Sequence, residues 1–373
     1  MSRFRFIAVA AALVGVFALA LAACGGDDDS GGSNTSGGSS SSGGGGGGSI
    51  ALLLPESKTT RYEAQDRPNF EKKVKELCSD CDIIYSNADQ DASKQQQQAE
   101  AAITKGAKVL VLDPVDAASA GAIVNRAKQS QIPVISYDRL ITDADIDYYI
   151  SFDNEKVGKL QGDALVKKLK DDGKSGSIVM INGAPTDNNA KLFKQGAHSV
   201  IDSSGFKVAK EYDTPDWSPD KAQQEMEQAI TALGKDGFVG VYAANDGTAG
   251  GAIAAMKGNG VDPTKIPSTG QDAELAGIQR ILAGEQYMTV YKAIKPEAEQ
   301  AAELAVALAK GETPPEAKDK IDNGSKQVPS ILLQPQSVTV DNINDTIIKD
   351  NFLSVDDICT GKYASFCKKA GIQ

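Results

Sequence analysis

Polar side chains come directly after most of the predicted strands of this sequence, or in the loop that follows. They are mainly carboxylates, carboxamides and basic groups, and they occur at Asp113, Tyr137-Asp138-Arg139, Asp153-Asn154, Asn182, Asp187-Asn188-Asn189, Asn245-Asp246, Gln271-Asp272 and Tyr291-Lys292. Open parallel sheets bind ligands at the carboxyl ends of their strands. Carboxylates and carboxamides pair with vicinal hydroxyl groups, basic groups donate to oxygen atoms, and the ring of Trp217, the only tryptophan, suits a C–H surface. As a set these residues predict a cleft for a polyhydroxylated ligand, although each one alone is equally well explained as a helix cap or an ion-pair partner.

The elements that must position these residues alternate between strands and helices from Ile50 onward. The predicted strands are 50–54, 82–85, 108–112, 132–136, 148–151, 177–181, 206–211, 238–242, 266–270 and 287–291. Continuous apolar strands between segments of helical spacing indicate parallel sheets that are covered on both faces. Ten strands are too many for one small sheet, and the body over 50–373 is long enough for two domains. The sequence therefore predicts an α/β fold with two doubly wound sheets.

The N-terminal segment has the pattern of a bacterial export signal. Two arginines precede an apolar run over 6–23, which closes on the lipobox Leu21-Ala22-Ala23-Cys24. A transmembrane helix is the alternative, but the run is short for a span of about 20 residues and ends at a small-small-Cys site. Residues 25–49 are almost entirely Gly, Ser and Asp. The prediction is a signal peptide over 1–23, a lipidated Cys24 with a tether through residue 49, and a folded body on the extracytoplasmic side of the cell membrane.

The composition limits the partners of this body. The formal charge is −11 and aromatic residues make up 6% of the chain. An acidic, aromatic-poor protein does not suit nucleic acid or anionic lipid surfaces. We therefore expect membrane attachment through the lipid anchor alone and no binding of nucleic acid.

Four cysteines remain once Cys24 is assigned to the lipid, and an even number in an exported protein suggests disulfides. Three pairings are possible, and proximity in sequence favours Cys78 with Cys81 and Cys359 with Cys367. A redox-active Cys-x-x-Cys site is the alternative for the first pair. It is disfavoured because the pair ends a predicted helix, whereas thioredoxin-like sites begin one.

Two motifs suggest phosphate or metal binding but lack a required residue. Gly173-Lys174-Ser175 resembles the end of a phosphate-binding loop, yet Lys168 stands where the first glycine is needed. Aspartates alternate over 143–147 with the spacing of calcium ligands, yet Tyr148 occupies the position that requires glycine. We expect a short acidic turn there, and no cofactor or metal in the protein.

Catalysis is likewise disfavoured. His198 is the only histidine, it is distant from both cysteine pairs, and no triad is evident around it. Asp138 and Asp272 could form a glycosidase carboxylate pair. Carboxylates also bind sugars without catalysis, and the sequence offers no water-activating group beside them. We therefore expect that the protein is not an enzyme.

Four further segments are distinctive. They read PVISYDRLITDADIDYYISFDNEKVGKLQGDALV (133–166), GAPTDNNAKLF (183–193), AANDGTAGGAIAA (243–255) and TGQDAELAGIQRILAGEQYMTVYKAI (269–294). Together they resemble the xylose-binding proteins of bacterial ABC sugar importers and their relatives that bind glucose, galactose and other monosaccharides. The resemblance covers nearly all of the body. It implies the type I periplasmic binding protein fold, in which two Rossmann-like domains joined by three hinge crossings hold one sugar. The lobes it implies here are 50–153 with 295–330 and 154–294 with 331–373.

The resemblance also implies the sugar contacts, position by position. The matching residues are Asp138, Arg139, Asn189, Trp217, Asn245, Asp272 and Lys292. Arg61 and Tyr62 stand where the family has an Arg-Trp pair, so the stacking face is kept but its width changes. Lys194 stands where the xylose-binding proteins have arginine, and lysine cannot form the same planar fork. These two departures bear on ligand choice, so the resemblance implies a monosaccharide rather than xylose specifically.

The resulting hypothesis is a monomeric solute receptor that closes on a monosaccharide and presents the closed form to an ABC permease. A sensory co-receptor for a chemoreceptor or kinase is the alternative, and a secreted sugar-converting enzyme is a further one. A transcription regulator of the same fold is disfavoured because the signal and tether occupy the place of its DNA-binding domain.

Overall fold

The structure is a computed structural model that describes residues 48–372. The predicted signal peptide, Cys24 and the tether up to residue 47 lie outside these residues. No helix among the described residues combines the length and the apolar character needed to cross a lipid bilayer.

The described chain alternates between strands and helices. The strands are β1 Ser49–Leu54, β2 Asp82–Asn87, β3 Ala107–Leu112, β4 Val134–Tyr137, β5 Tyr148–Phe152, β6 Ser177–Asn182, β7 Lys207–Asp213, β8 Gly240–Ala243, β9 Thr289–Tyr291, β10 Asp319–Asp322, β11 Gln327–Leu333 and β12 Gln336–Val338. The α-helices are α1 Arg67–Leu77, α2 Ala92–Thr104, α3 Gly121–Gln129, α4 Asn154–Asp171, α5 Asn188–Ile201, α6 Pro219–Leu233, α7 Asp246–Gly258, α8 Leu275–Leu282, α9 Ile294–Lys310, α10 Val355–Ile358 and α11 Ala364–Lys369. Short π-helical turns lie at Tyr62–Asp66 and Asn344–Ile348, and short 3₁₀ turns lie at Pro215–Trp217, Pro263–Lys265, Val340–Asn342 and Gly361–Tyr363.

The strands form two main sheets. The first has seven strands in the order β10-β11-β5-β4-β3-β1-β2, and only the β10–β11 pair is antiparallel. The second has three parallel strands in the order β7-β6-β8. A separate pair joins β12 to β9 in antiparallel orientation. The order β2-β1-β3-β4-β5 is that of a doubly wound sheet. The predicted α/β fold class is therefore confirmed.

Both faces of the first sheet are buried, which explains its continuous apolar strands. In β1, Ile50, Leu52 and Leu54 pack beneath α1 and α9, whereas Ala51 and Leu53 pack beneath α2 and α3. Full burial of each large aliphatic side chain stabilises the fold by about 1.5–3 kcal/mol. This core fixes the strands, and the strands in turn fix the loops at their carboxyl ends.

Two parts of the sheet prediction differ from the structure. Residues 266–270, predicted as a strand, form no regular ladder, because Pro267 lacks the amide hydrogen that one requires. Isolated bridges join Ser268 to β8 and Gln271 to β9. The segment is still held in place, since the N–H groups of Val241 and Val290 donate to the carbonyls of Pro267 and Gly270 at 3.0 Å. The strands β10 to β12 were not predicted, because β10 is mostly charged and a proline interrupts β11.

The chain passes between the two sheets three times, as the fold class predicts. β5 leads into α4, whose apolar residues join the core of the second sheet. β9 leads into α9, which packs beneath the first sheet. β11 ends at Leu333, and β12 then pairs with β9. Three short connections of this kind allow two domains to rotate about a hinge.

The structure contains the two disulfides favoured by proximity in sequence. The Cα atoms lie 5.3 Å apart in Cys78–Cys81 and 5.8 Å apart in Cys359–Cys367. The first disulfide closes the C-terminal end of α1. The second lies in the C-terminal segment, which packs against α8 and β9 through residues such as Phe352.

Candidate functional site

A pocket lies between the carboxyl ends of the two sheets. The loops after β1 and β4 line it from the first sheet. The loops after β6, β7, β8 and β9, and the segment that follows residues 266–270, line it from the second. Its lining residues are all buried and are Thr59, Arg61, Tyr62, Asp138, Arg139, Asp187, Asn189, Phe193, Trp217, Asn245, Gln271, Asp272 and Lys292. The two sides therefore meet over the pocket and shield it from solvent.

Nine of the ten residues predicted to bind the ligand line this one pocket. They come from positions as far apart in sequence as Arg61 and Lys292. The doubly wound topology explains this convergence, because the carboxyl ends of all parallel strands lie along one edge of each sheet.

Lys194 is the one residue of this set that does not line the pocket. Asn189 and Phe193 lie one turn apart on α5 and face the pocket, whereas Lys194 is the next residue around the helix. Its Nζ lies 2.8 Å from Glu211 Oε1 and 3.1 Å from Asp213 Oδ1 on β7. Lys194 therefore ties α5 to β7 at the surface.

Asp138 is the electrostatic centre of the pocket. Its Oδ1 lies 3.3 Å from Arg61 Nη1 and 3.4 Å from Lys292 Nζ, and the Tyr62 hydroxyl donates to its Oδ2 at 3.4 Å. Burial opposes ionisation of this carboxyl, but Arg61, Lys292 and Arg139 outweigh burial and hold its pKa below the ordinary range. Asp138 is therefore a fixed negative charge that can accept hydrogen bonds.

Arg61 holds several buried carboxylates together. Its Nη2 lies 2.5 Å from Asp66 Oδ1 and 3.1 Å from Glu297 Oε2, and its Nη1 faces Asp138 and, at 3.9 Å, Asp272. The Asp66 and Glu297 contacts fix the guanidinium on one side. The opposite Nη1 makes no hydrogen bond within the described residues, so it remains available to a ligand.

Arg139 links the two sides of the pocket. Its Nε lies 3.0 Å from Asp187 Oδ2, which belongs to the loop after β6, and 3.6 Å from Asp113 Oδ1. Asp187 also accepts from the backbone N–H of Asn189 at 2.8 Å and from Trp217 Nε1 at 3.1 Å. A single carboxylate thus orients a cation, an amide and an aromatic ring of the pocket.

The rings of Tyr62, Phe193 and Trp217 give the pocket its apolar surface. Trp217 meets Phe193 edge-on, with ring centroids 6.3 Å apart. The indole fits only because residue 183 is glycine, since a Cβ there would lie 2.0 Å from Trp217 Cη2. Trp217 also adopts a positive φ of 52°, which is uncommon for a bulky residue. The backbone is therefore held in a costly conformation that places this ring in the pocket.

Two asparagines complete the polar lining. Asn189 donates from Nδ2 to the Asp138 carbonyl at 3.0 Å and accepts from Asn154 at 2.9 Å. Asn245 caps α7, accepting from the backbone N–H of Thr248 at 2.9 Å through its Oδ1. The cap fixes the carboxamide so that its nitrogen is left for other partners.

Several buried polar atoms of the lining residues make no hydrogen bond among residues 48–372, although two of them lie within 3.4 Å of an oppositely charged group. Arg61 Nη1 is a donor, and Gln271 Oε1 and Asp272 Oδ1 are acceptors. An unpaired buried polar atom costs about 1–3 kcal/mol. A polar ligand that both donates and accepts would remove this cost.

Four lining residues were not predicted to bind the ligand. Asp187 and Gln271 could have been predicted, because both lie in the polar segments that follow predicted strands. Phe193 could have been found from its position one helical turn after Asn189. Thr59 carries no comparable signal in the sequence.

One group of side chains in the described part of the chain has the spacing of metal ligands. It comprises Cys78, Asp80 and Cys81. Both cysteines are consumed by a disulfide, so this group does not fit a metal ion.

Comparison with known proteins shows similarity along most of the chain. Residues 50–313 match the family described as "Periplasmic binding protein domain". The chain is 43% identical to the "D-xylose-binding periplasmic protein" of Escherichia coli (strain K12) over 307 residues, which are 81% of this chain and 90% of that protein. It is 34% identical to the "Multiple sugar-binding periplasmic receptor ChvE" of Rhizobium radiobacter, over 83% of this chain and 92% of that protein.

Solved structures agree with this similarity. An ABC transporter solute-binding protein of Clostridium phytofermentans with bound β-D-glucose superposes with a TM-score of 0.76 at 30% identity, over 83% of this chain and 99% of that one. A carbohydrate transporter solute-binding protein of Chloroflexus aurantiacus in complex with D-glucose gives 0.74 at 30% identity, over 83% and 97%.

Proposed function

The chain belongs to the periplasmic binding protein family, and from this premise we propose that it captures a monosaccharide and delivers it to an ABC permease. D-Xylose and related pentoses or hexoses are the proposed ligands. The observation that carries the proposal is the shielded pocket, whose charged, amide and aromatic side chains come from both sheets. Such a set matches the hydroxyl groups and C–H faces of one sugar ring.

The proposed ligand contacts are the nine predicted residues that line the pocket. They are Arg61, Tyr62, Asp138, Arg139, Asn189, Trp217, Asn245, Asp272 and Lys292. We assign the hydroxyl contacts to the charged and amide groups, and the C–H contacts to the rings of Tyr62, Trp217 and the additional Phe193.

The proposed mechanism is closure of two lobes about the three crossings. The first lobe comprises 50–153 and 295–333, and the second comprises 154–294 and 334–373. The predicted boundary at 330/331 is moved to Leu333, because β11 pairs with β5 up to that residue. A sugar favours the closed state only through contacts that the open state lacks. Asp138 and Arg139 supply these contacts from one lobe, and Asn245 and Asp272 supply them from the other.

We further propose that the protein acts as a monomeric lipoprotein on the extracytoplasmic face of the membrane, and that it binds without catalysis. The lipobox ending at Cys24 supports the anchor. Mass spectrometry of the chain extracted from the membrane should find an N-terminus at residue 24 and a lipid on the Cys24 thiol. An unmodified Cys24 thiol would contradict anchoring through this residue.

A thermal-shift screen of the full chain against pentoses and hexoses, followed by calorimetry, tests the proposed function. A sugar at about 100 times its Kd should stabilise the protein by about 2.7 kcal/mol. Chromatography of each sugar after incubation with the protein should recover it unchanged. A flat screen would overturn the sugar-binding proposal, and turnover would overturn the proposal of binding without catalysis.

Lys194→Ala should leave sugar affinity within about twofold of the wild type, because Nζ pairs with Glu211 and Asp213 rather than with the pocket. Exposed ion pairs contribute about 0–1 kcal/mol, so stability should fall only slightly. Calorimetry and thermal unfolding measure the two effects. A tenfold loss of affinity would restore Lys194 to the binding site.

Trp217→Ala should weaken sugar binding by about tenfold or more, because it removes the largest aromatic face of the pocket. Trp217→Phe keeps an apolar ring but loses the hydrogen bond to Asp187, so it should fall in between. Calorimetry on the wild type and both variants gives the order of their sugar affinities. Equal affinities for the wild type and Trp217→Ala would assign the stacking surface to Tyr62 or Phe193 instead.

A further inference from the structure

The buried charges around Arg139 are unbalanced. Three carboxylates face this one guanidinium: Asp187 at 3.0 Å, Asp113 at 3.6 Å and Glu56 at 3.9 Å. All four side chains are at most 3% exposed. Full ionisation would leave two negative charges in excess in a place that water does not reach. Burying an unpaired charge costs several kcal/mol, so a buried carboxyl in this position takes up a proton instead.

The three carboxylates differ in how well the protein supports their charge. Asp187 accepts from Asn189 and Trp217 in addition to its pairing with Arg139. Glu56 accepts from the backbone N–H of Thr59 at 3.0 Å. Neither side-chain oxygen of Asp113 accepts a hydrogen bond from the described residues, although the side chain is fully buried. Asp113 is therefore the carboxylate whose negative charge is least stabilised.

These groups come from different sides of the pocket. Asp113 follows β3, Glu56 follows β1 and Arg139 follows β4, so all three belong to the first sheet. Asp187 follows β6 of the second sheet, so its contact with Arg139 joins the two sides. In the proposed closure the second lobe would therefore bring a third carboxylate to a guanidinium that already faces two, and it would remove water from them at the same time.

We propose that sugar capture is coupled to the uptake of a proton by Asp113. This inference rests on the proposed function, because it requires that the lobes close on a sugar. It adds that affinity depends on pH and that the closed form carries a proton which the open form lacks. A receptor of this kind binds more tightly in an acidic medium.

The charges that face Asp113 support this direction. Burial raises the pKa of Asp113 well above its usual value, Arg139 and Arg61 lower it, and Asp138 and Asp187 raise it further. A carboxyl whose pKa is higher in the closed form binds a proton on closing. Affinity is therefore greatest at low pH. It falls by on the order of tenfold per pH unit for each proton taken up between the pKa of the open form and that of the closed form, and it levels off above the latter.

Calorimetry of the full chain with D-xylose, in buffers of different ionisation enthalpy at one pH, measures the coupling directly. The slope of the observed enthalpy against the buffer ionisation enthalpy should correspond to net uptake of about one proton. Asp113→Asn is neutral at every pH, so it should still bind and the slope should vanish. The exposed Asp236→Asn should behave as the wild type.

Glu274 is the alternative proton acceptor, because burial raises its pKa to about 8. Its Oε1 also accepts from the backbone N–H of Thr60, which belongs to the first-sheet side of the pocket. Glu274→Gln is therefore the second variant. Uptake that disappears in Glu274→Gln but persists in Asp113→Asn would overturn the assignment to Asp113. D-Xylose binding with zero slope in the wild type would overturn proton coupling and leave the proposed function intact. An absence of binding by any sugar would overturn both.

Discussion

Asp272→Ala should weaken sugar binding by at least thirtyfold, which corresponds to about 2 kcal/mol. Asp272 Oδ1 lies 3.4 Å from Lys292 Nζ and 3.9 Å from Arg61 Nη1, and it accepts no hydrogen bond from the described residues. The carboxylate is therefore held in place with one oxygen available to a ligand hydroxyl. Removing it leaves that hydroxyl and two buried cations with fewer partners, and such losses cost about 2–5 kcal/mol.

The backbone at this position requires a second variant. Asp272 has a φ of 89°, where alanine is strained, whereas asparagine tolerates positive φ comparatively well. Asp272→Asn keeps the shape and loses the charge, so it should bind more weakly than the wild type but more tightly than Asp272→Ala. Calorimetry gives the affinities, and thermal unfolding without sugar separates strain from binding. Wild-type affinity in a folded Asp272→Ala variant would show that this residue does not bind the sugar. Asp236→Ala is the matched control, because Asp236 is exposed and distant from the pocket lining, and it should bind sugar as the wild type does.

The central strands could be predicted because their burial on both faces leaves a clear signal. A strand such as β1 must be apolar at every position when helices cover both of its faces. The edge of the first sheet gives no such signal. Three of the four residues of β10 are charged and the strand is largely exposed, while β11 contains Pro329, so neither resembles a buried strand.

The sequence predicts which loops line the site, but it does not predict which side chains of those segments face the pocket. Parallel strands bring their carboxyl ends together, so Asp138, Asn245 and Asp272 belonged to the polar set predicted from strand ends. The family resemblance then identified them as ligand contacts. Whether Phe193 or its neighbour Lys194 faces the pocket depends on how α5 packs on the second sheet. That packing is a tertiary property, and a short sequence motif does not contain it.

Backbone strain at the site also escapes prediction from sequence. Asp138, Trp217 and Asp272 all have positive φ, although none of them is glycine. Local preference alone favours ordinary conformations for these residues, so the surrounding structure must impose the strained ones. Such strain is concentrated where function requires a side chain in a particular place.

Arg61→Ala should destabilise the protein by about 3–5 kcal/mol, the largest loss of stability that we expect from a single change in the pocket. The guanidinium is 2% exposed and lies within 3.3 Å of carboxylate oxygens of Asp66, Glu297 and Asp138. Its removal leaves these carboxylates buried with too little positive charge. Chemical unfolding of the sugar-free protein measures the effect directly.

The loss should grow as the pH rises, which distinguishes charge from packing. Burial already raises the pKa of Glu297, and Arg61 is the first of the partners that lower the pKa of Asp138. Without Arg61 both carboxyls should have higher pKa values in the folded state than in the wild type. A group with a raised folded pKa stabilises the fold at low pH and loses that contribution as the pH increases. The deficit should therefore be smaller near about pH 5 than near about pH 8.

Arg67→Ala provides the matched control, because Arg67 also pairs with two carboxylates but is 39% exposed. Water solvates its partners when it is removed, so we expect a loss below about 1 kcal/mol with little dependence on pH. A similar small loss in Arg61→Ala would mean that water reaches the buried carboxylates. A large loss that is constant with pH would instead assign the role of Arg61 to packing of its side chain against Tyr62, since its guanidinium carbon lies 5.1 Å from the centroid of that ring.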